Sequence, residues 1–144
     1  MQVLTQVAGW RGWRMRGKQA SQGIDFSQSI DYILYYRCKA VFVDTDALPA
    51  RDSRVGDLVQ NTTEAELVRQ FTETLIQSGV HESRIGIISL YRQQVKLLQH
   101  LLPERVKNGL EILTADRSQG RDKECIIISL VRSNEGGHVS IHFQ

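Results

Sequence analysis

Two short apolar runs in the second half of the chain constrain its fold more than any other feature. Residues 110–113 and 125–131 are almost wholly apolar and rich in β-branched side chains. Such runs are typical of strands buried on both faces in a parallel sheet. A polar loop joins them, with Gly120 at its centre, where glycine lets a backbone approach a ligand closely. Because open α/β sheets bind ligands at the carboxyl ends of their strands, this loop is predicted to contact phosphate or sugar.

The preceding sequence alternates strand-like and helix-like segments. The predicted elements are, in order, a strand at 40–44, a polar loop at 45–60, a helix ending at Gly79, a strand at 84–90 and a helix at 92–102 that stops at Pro103. This order implies crossover connections. The predicted fold class is therefore α/β, with a mainly parallel sheet and flanking helices.

Both predicted helices have an apolar face at helical spacing. The inward residues are Leu67, Val68, Phe71, Leu75 and Ile76 in the first helix, and Val95, Leu98, Leu101 and Leu102 in the second. The first helix is predicted to start at Asn61 or Thr63. Each lies three residues before a glutamate, Glu64 or Glu66, in a spacing close to a capping box.

The first 38 residues carry weak and mixed patterning. Their basic residues come with two tryptophans and no acid before Asp25; these residues are Trp10, Arg11, Trp13, Arg14, Arg16 and Lys18. We predict no regular structure here except a short helix at 29–36. A poorly structured or non-native leader is the favoured interpretation, and a mitochondrial transit peptide is the alternative.

Length and composition fit one globular domain. The chain has 144 residues, 41% of them hydrophobic and 24% charged, which is ordinary for a globular protein. No apolar run approaches the roughly 20 residues of a membrane span. The net charge of +2 is too small to argue for nucleic acid. Cys38 and Cys125 lack metal-ligand spacing and are interpreted as reduced structural thiols.

Four ordered segments carry a family resemblance. They are Phe42-Val43-Asp44-Thr45-Asp46 with Pro49-Ala50, then Asn61-x-x-Glu64-Ala65, then Ile85-Gly86-Ile87-Ile88-x-x-Tyr91-Arg92-Gln93-Gln94, and finally Asp116-Arg-Ser-Gln119-Gly120-Arg121-Asp122-Lys123 with Val131-Arg132-Ser133-Asn134 after the next strand. Over residues 41–134 they resemble superfamily 1 helicases of the nonsense-mediated-decay-helicase group, and within it the eukaryotic DNA replication ATP-dependent helicase/nucleases. One departure is Leu90, where the family usually has proline.

The resemblance implies a particular organisation. Residues 39–134 would form an incomplete RecA-like lobe of the P-loop NTPase class, the second of two motor lobes. The basic leader at 1–38 would precede this lobe, and a divergent tail at 135–144 would follow it.

The resemblance also implies a nucleotide-binding set around the glycine loop. In the family this loop lies in the cleft between the two lobes, near the nucleotide. Carried over, Asp122 would hydrogen-bond the ribose or a metal-bound water, and Gln119 with the Gly120 backbone would sense the γ-phosphate. Arg121 belongs to the same set. An ordinary polar turn with a surface salt bridge is the alternative.

A second implied set would contact nucleic acid. Ser89, Thr114 and Asp116 lie at or just beyond predicted strand ends, where related helicases touch the sugar–phosphate backbone of a single strand. Tyr91 and Arg92 could stack on a base or pair with phosphate. The alternative for each hydroxyl is that it satisfies a nearby backbone group. The segment 132–134 is interpreted either as a bridge to the other lobe or DNA, or as a solvated strand end.

No complete catalytic set can be found. Residues 12–18 satisfy the Gly-x4-Gly-Lys spacing of a phosphate loop, but Gln19 stands where a Ser or Thr hydroxyl should hold magnesium, so this match is rejected. The acidic pair and the arginine-finger segment are also missing. ATP and Mg²⁺ would therefore be shared with a first lobe that this sequence lacks. An iron–sulfur cluster is expected only in a nuclease domain, and no metal site is predicted.

The expected function is that of a fragment of an ATP-dependent DNA helicase/nuclease in DNA replication and repair, inactive alone and supplying coupling loops. The expected partners are single-stranded or flap DNA, the first motor lobe and a single-strand-binding protein, in the nucleus or alternatively the mitochondrion. A non-catalytic module that binds single-stranded nucleic acid or protein stays open, as do the lobe of an RNA helicase and a self-sufficient NTPase.

Overall fold

The structure is a computed structural model that describes residues 2–7, 12–16, 40–44, 51–55 and 58–132. Its strands are β1 Gln2–Val7, β2 Gly12–Arg16, β3 Ala40–Asp44, β4 Ser53–Val55, β5 Leu58–Gln60, β6 Ile85–Ser89, β7 Glu111–Thr114 and β8 Cys125–Ser129. Its helices are α1 Thr62–Gln77, α2 Arg92–Leu101 and α3 Pro103–Lys107, with a 3₁₀ turn at Glu82–Arg84.

The main sheet has six strands in the order β2-β3-β1-β8-β6-β7. Strand β1 runs antiparallel to both of its neighbours, while the pairs β2–β3, β8–β6 and β6–β7 are parallel. The predicted α/β class with a mainly parallel sheet is therefore confirmed. Strands β4 and β5 form a separate antiparallel hairpin.

The three parallel strands β8, β6 and β7 are aligned so that like residues stand side by side. Ile87 pairs with Ile127 on one side and Ile112 on the other, and Ser89 pairs with Ser129 and Thr114. The isoleucine row is buried against α1 and α2. Because side chains two residues apart in a strand share a face, the hydroxyl row lies on the same face at the carboxyl ends.

Burial on both faces of these strands was predicted, and that prediction is wrong in part. Along β8 the residues alternate between fully buried and half-buried, and along β7 they do the same. The physical reason is the position of the helices: α1 packs on β8 and α2 packs on β6 and β7, so both cover one face.

Helix α1 begins as its cap predicts. Asn61 Oδ1 accepts a hydrogen bond from the Glu64 backbone N–H at 2.9 Å, and Gly79 follows the helix with a φ of +95°. The return half of a capping box is not formed, because the Glu64 side chain is turned towards β8 instead. Among the predicted inward residues, Ile76 is only partly buried and the others are buried.

Helix α2 also confirms its predicted face. Val95, Leu98 and Leu102 are buried, and Leu101 packs partly buried against the same core. Pro103 ends this helix as predicted, but it also begins α3, where a proline fits because the first helical N–H has no partner within the helix.

Two regions contain strands that the sequence did not reveal. The predicted polar loop at 45–60 contains the hairpin of β4 and β5, and the leader contains β1 and β2. Strand β2 covers Gly12–Arg16, so most of the rejected phosphate-loop match is extended backbone. The predicted helix at 29–36, Cys38 and the tail at 135–144 lie outside the described residues.

Five residues at the carboxyl edge form a buried polar network, which we call the carboxyl-edge clasp: Asn61, Glu64, Gln94, Ser129 and Val131. Gln94 Oε1 accepts from the Asn61 backbone N–H at 2.9 Å, and Gln94 Nε2 donates to the Asn61 carbonyl at 3.1 Å and to Ser129 Oγ at 3.2 Å. Ser129 Oγ donates to Glu64 Oε1 at 2.7 Å. The network therefore joins the starts of both long helices to the end of β8.

The clasp closes on a strained turn. Val131 has a φ of +70°, and the Arg132 backbone N–H donates to the Leu130 carbonyl at 2.8 Å, so residues 130–132 form a γ-turn of the rare kind. A β-branched residue in this conformation costs about 1–3 kcal/mol. The Glu64 carboxylate accepts from the Val131 N–H at 3.0 and 3.1 Å, and Asn61 Nδ2 donates to the Val131 carbonyl at 3.1 Å.

The ionisation of Glu64 follows from this placement. Burial raises the pKa of its carboxyl above the ordinary value of 4.5, and the hydrogen bonds from Ser129 and from the backbone of Val131 oppose that rise. The folded state therefore binds the Glu64 proton more tightly than the unfolded state does. The resulting stabilisation is complete below pH 4.5 and is lost as the pH rises through the raised folded pKa.

Substituting Glu64→Gln should remove this pH dependence. The amide keeps an oxygen that can accept from Ser129 and Val131 but has no titrating proton. Urea unfolding across a pH series should show wild-type stability falling relative to Glu64→Gln as the pH rises above about 4.5. Glu66→Gln is the matched control, since Arg69 lowers the pKa of Glu66 and its linkage has the opposite sign. A wild-type advantage that grows with pH would contradict the assignment.

Candidate nucleotide and nucleic-acid site

The predicted strand-end hydroxyls stand next to each other but are buried. Ser89 is 1% exposed and Thr114 is 8% exposed. Ser89 Oγ accepts a hydrogen bond from the Tyr91 backbone N–H at 3.3 Å. The Ser89 hydroxyl thus has the backbone-satisfying arrangement that was the alternative interpretation of the sequence.

Asp116 lies at the exposed edge, hydrogen-bonded to Thr114 and close enough to Arg92 to be affected by its charge. The Thr114 hydroxyl donates to the exposed Asp116 carboxylate, and this hydrogen bond is the main reason that the pKa of Asp116 is lowered. The positive charges of Arg117 and Arg92 lower it further. Tyr91, half-buried, immediately precedes α2, and Arg92 is its exposed first residue. Thr114, Asp116 and Arg92 therefore lie near one another, and Tyr91 is the residue before Arg92.

The glycine loop is attached to this edge and open to solvent. The Ala115 backbone N–H donates to the Ser89 carbonyl at 3.2 Å, which continues the β6–β7 pairing past the end of β7. Gly120 has a φ of +76°, and a Cβ added there would meet nothing within 4 Å. A larger residue would be strained by the backbone angle and not by a clash. Gln119 and Asp122 are exposed on either side.

The second half of the loop is anchored away from the carboxyl edge. Lys123 Nζ lies 3.0 Å from Glu111 Oε1 and donates to the Ser83 carbonyl at 2.7 Å. Arg121 reaches the same Glu111 oxygen at 3.7 Å. Glu111 is the first residue of β7, about 10 Å along the strand from Thr114. The polar residues of the loop thus divide into an edge group and an anchored group, whereas the sequence alone treated them as one.

The anchor at Lys123 is tightly packed. Its side chain is only 12% exposed, and a Cβ on Gly86 would come within 3.1 Å of Lys123 Cγ. The lysine stem therefore covers the start of β6, and glycine at position 86 leaves room for it. Lys123 thus ties the end of the loop, next to the exposed Asp122, to the start of β6.

Metal ligation is not indicated by the part of the chain that the structure describes. It contains no group of three or more His, Cys, Asp or Glu side chains that could hold a metal ion. Burial raises the pKa of the Cys125 thiol to about 11, so this thiol is protonated at neutral pH. Cys125 therefore behaves as a packing residue of β8.

The end of the last strand is held more firmly than the sequence indicated. Arg132 lies 3.2 Å from Asp52, and the two side chains are only 11% and 10% exposed. Ser133 and Asn134 lie outside the described residues.

Sequence reasoning did not assign a site role to Gln94 or Ser129. Both are polar residues that are fully buried, each with 0% of its surface exposed. The sequence held one indication for Gln94: it directly precedes Val95, a residue of the predicted inward face of the helix. No signal identified Ser129, because a serine at a strand end is common.

Comparison with known proteins agrees with the resemblance. The family model described as AAA domain matches residues 16–143. The chain is 43% identical over 115 residues to the DNA replication ATP-dependent helicase/nuclease DNA2 of Saccharomyces cerevisiae, covering 79% of this chain and 8% of that protein. It is 43% identical over 95 residues to the helicase/nuclease JHS1 of Arabidopsis thaliana, covering 66% and 7%.

The human relative gives a similar result. The chain is 41% identical over 98 residues to the DNA replication ATP-dependent helicase/nuclease DNA2 of Homo sapiens, covering 68% of this chain and 9% of that protein. The resemblance to the eukaryotic DNA replication helicase/nucleases is therefore confirmed, and the chain spans less than a tenth of the length of these relatives. Since the family model matches most of the sequence, the chain belongs to the AAA domain family.

Proposed function

We propose that this chain acts as the second motor lobe of an ATP-dependent DNA helicase/nuclease in replication and repair. The observation that carries the proposal is the joining of the open Gly120 loop to the carboxyl edge, through the hydrogen bond from Ala115 to Ser89. One continuous segment thereby links a candidate nucleotide surface with a candidate nucleic-acid surface. Such a link is what a motor needs if hydrolysis is to change its grip on DNA.

The nucleotide side of the proposal uses the exposed part of the loop. Gln119 and the Gly120 backbone would face the γ-phosphate, and Asp122 would face the ribose or a metal-bound water. Arg121 and Lys123, the residues on either side of Asp122, both pair with Glu111 and hold this part of the loop. ATP and Mg²⁺ would be bound jointly with a first lobe that supplies the phosphate loop.

The nucleic-acid side uses the edge around α2. Arg92 is exposed and suited to a phosphate, and Tyr91 is placed to stack on a base. Thr114 and Asp116 would shape the same surface, with the Asp116 carboxylate orienting Arg92. Ser89 would act through the Tyr91 backbone. The proposed ligand is single-stranded or flap DNA.

The proposed setting follows from the relatives, which are named for DNA replication. We propose the nucleus as the compartment, with the mitochondrion as the alternative, and a single-strand-binding protein as a further partner. Among the described residues, no helix has the length and apolar character needed to cross a membrane.

Single-stranded DNA binding should depend on salt and on Arg92. Anisotropy titrations of a labelled oligothymidine should show affinity falling as salt rises, and Arg92→Ala should reduce the log–log slope by about 0.7, the value for one phosphate contact to a single strand. Lys107→Ala is the matched control, since Lys107 is an exposed cation paired with Glu104 on α3.

Two results would argue against this part of the proposal. Equal slopes for the wild type and Arg92→Ala would remove Arg92 from the nucleic-acid surface. Tighter binding of oligouridine than of oligothymidine would favour the RNA-helicase alternative.

The isolated chain should not turn over ATP. An arginine finger alone contributes about 10³ to 10⁵ in rate in related phosphoryl-transfer systems, and the sequence contains no finger segment or credible phosphate loop. Phosphate release should stay at background with or without oligothymidine. Turnover that Lys18→Ala abolishes would instead establish the N-terminal glycine segment as a working phosphate loop and the chain as a self-sufficient NTPase.

A further inference from the structure

The carboxyl-edge clasp shares its helix turn with the proposed nucleic-acid groups. Gln94 lies in the first turn of α2, two residues after Arg92 and three after Tyr91. Its side chain binds both the backbone N–H and the carbonyl of Asn61, at 2.9 and 3.1 Å. The position of the α2 start is thereby set by the start of α1.

We infer that the clasp is a positioning device for the nucleic-acid edge, in which Gln94 fixes the first turn of α2 and so directs Arg92. The inference rests on the proposed function, because it assigns a role to Arg92. Within the clasp, Gln94 and Ser129 connect α2 to β8, and Glu64 and Asn61 hold the Val131 turn from the side of α1.

Helix capping does not account for these contacts. An N-cap needs one acceptor, and Asn61 Oδ1 supplies it to the Glu64 N–H. The bond from Asn61 Nδ2 to the Val131 carbonyl and the two bonds between Gln94 and the Asn61 backbone are additional to the cap. They reach the turn after β8 and the first turn of α2, so they set how these elements are placed and do not lengthen or end a helix.

Core stability does not account for them either. All five clasp residues are fully buried, at 0% exposure. Replacing buried charged or polar partners by well-packed apolar residues of similar volume is often neutral for stability, and Val131 is additionally strained. Strained backbone that is held by its surroundings gathers at functional sites. Here it lies at the carboxyl edge, where α/β sheets bind their ligands.

A double-mutant cycle on the 144-residue chain tests the inference. The variants are Gln94→Met, which keeps the side-chain length but loses the three hydrogen bonds, Arg92→Ala, and the two combined. Thr72→Val is the control: it removes one buried hydrogen bond, to the Val68 carbonyl, about 15 Å along α1 from its start. Each protein is titrated with labelled oligothymidine at several salt concentrations, below its own melting temperature.

Gln94→Met should weaken binding and lower the salt slope by about 0.7, as Arg92→Ala does, because a misdirected guanidinium no longer meets its phosphate. The double variant should bind like Arg92→Ala alone, since Gln94 acts through Arg92. Thr72→Val should bind like the wild type despite a lower melting temperature. If Gln94→Met does not fold, Gln94→Asn takes its place in the cycle, because its amide is one methylene shorter and cannot keep both bonds to the Asn61 backbone.

The negative results separate a failure of the positioning role from a failure of the proposed function. If Arg92→Ala weakens binding but Gln94→Met does not, or if the two losses add, the positioning role is overturned and the proposed function stands. If Thr72→Val weakens binding as much as Gln94→Met, the effect is one of general stability and the inference is again overturned. If the wild type shows no salt-sensitive binding, both the inference and the nucleic-acid part of the proposed function fall.

Discussion

The parallel pairing of β6 with β7 and β8 is the constraint on which the rest of this structure depends. It aligns three isoleucines, Ile87, Ile112 and Ile127, under the two long helices. The same register brings the last residues of the three strands to one edge. Since successive strand residues alternate between faces, a shift by one residue would turn the isoleucines away from the helices and the edge hydroxyls away from the clasp.

The edge then needs hydrogen bonds that the strands no longer supply. Val131, beyond the end of β8, is fully buried, and leaving its backbone N–H unpaired would cost about 1–3 kcal/mol. The Ser89 hydroxyl accepts from the Tyr91 backbone N–H, and Glu64 accepts from the Val131 backbone N–H. The Val131 turn is therefore held by a buried carboxyl whose pKa is raised by its burial. The same bonds make the edge a fixed surface on which an exposed arginine can have a defined direction.

The glycine loop, in contrast, is attached at both ends and exposed in the middle. Its first half continues the strand pairing, and its second half is held by Lys123 on Glu111 and on the Ser83 carbonyl. Between these two attachments, Gly120 stands exposed with open space beside it. In the proposed function, a ligand bound at the open middle of this segment would act on the strands that hold its two ends. Ser89, to which the loop is attached, is followed by Leu90 and Tyr91 and then by α2.

The sequence by itself determined the α/β class and the inward faces of both long helices, and it narrowed the cap of the first long helix to Asn61 or Thr63. These features follow from local spacing, which needs no knowledge of distant residues. Only the tertiary structure decided the strand order, the inclusion of β1 and β2 in the sheet and the partners of Glu64, Gln94 and Ser129. The hydrogen bonds of these three side chains join residues that are 33 to 67 positions apart in the chain. Local pattern is silent about such pairs, because a buried glutamate and an exposed one look alike until the surrounding strands are in place.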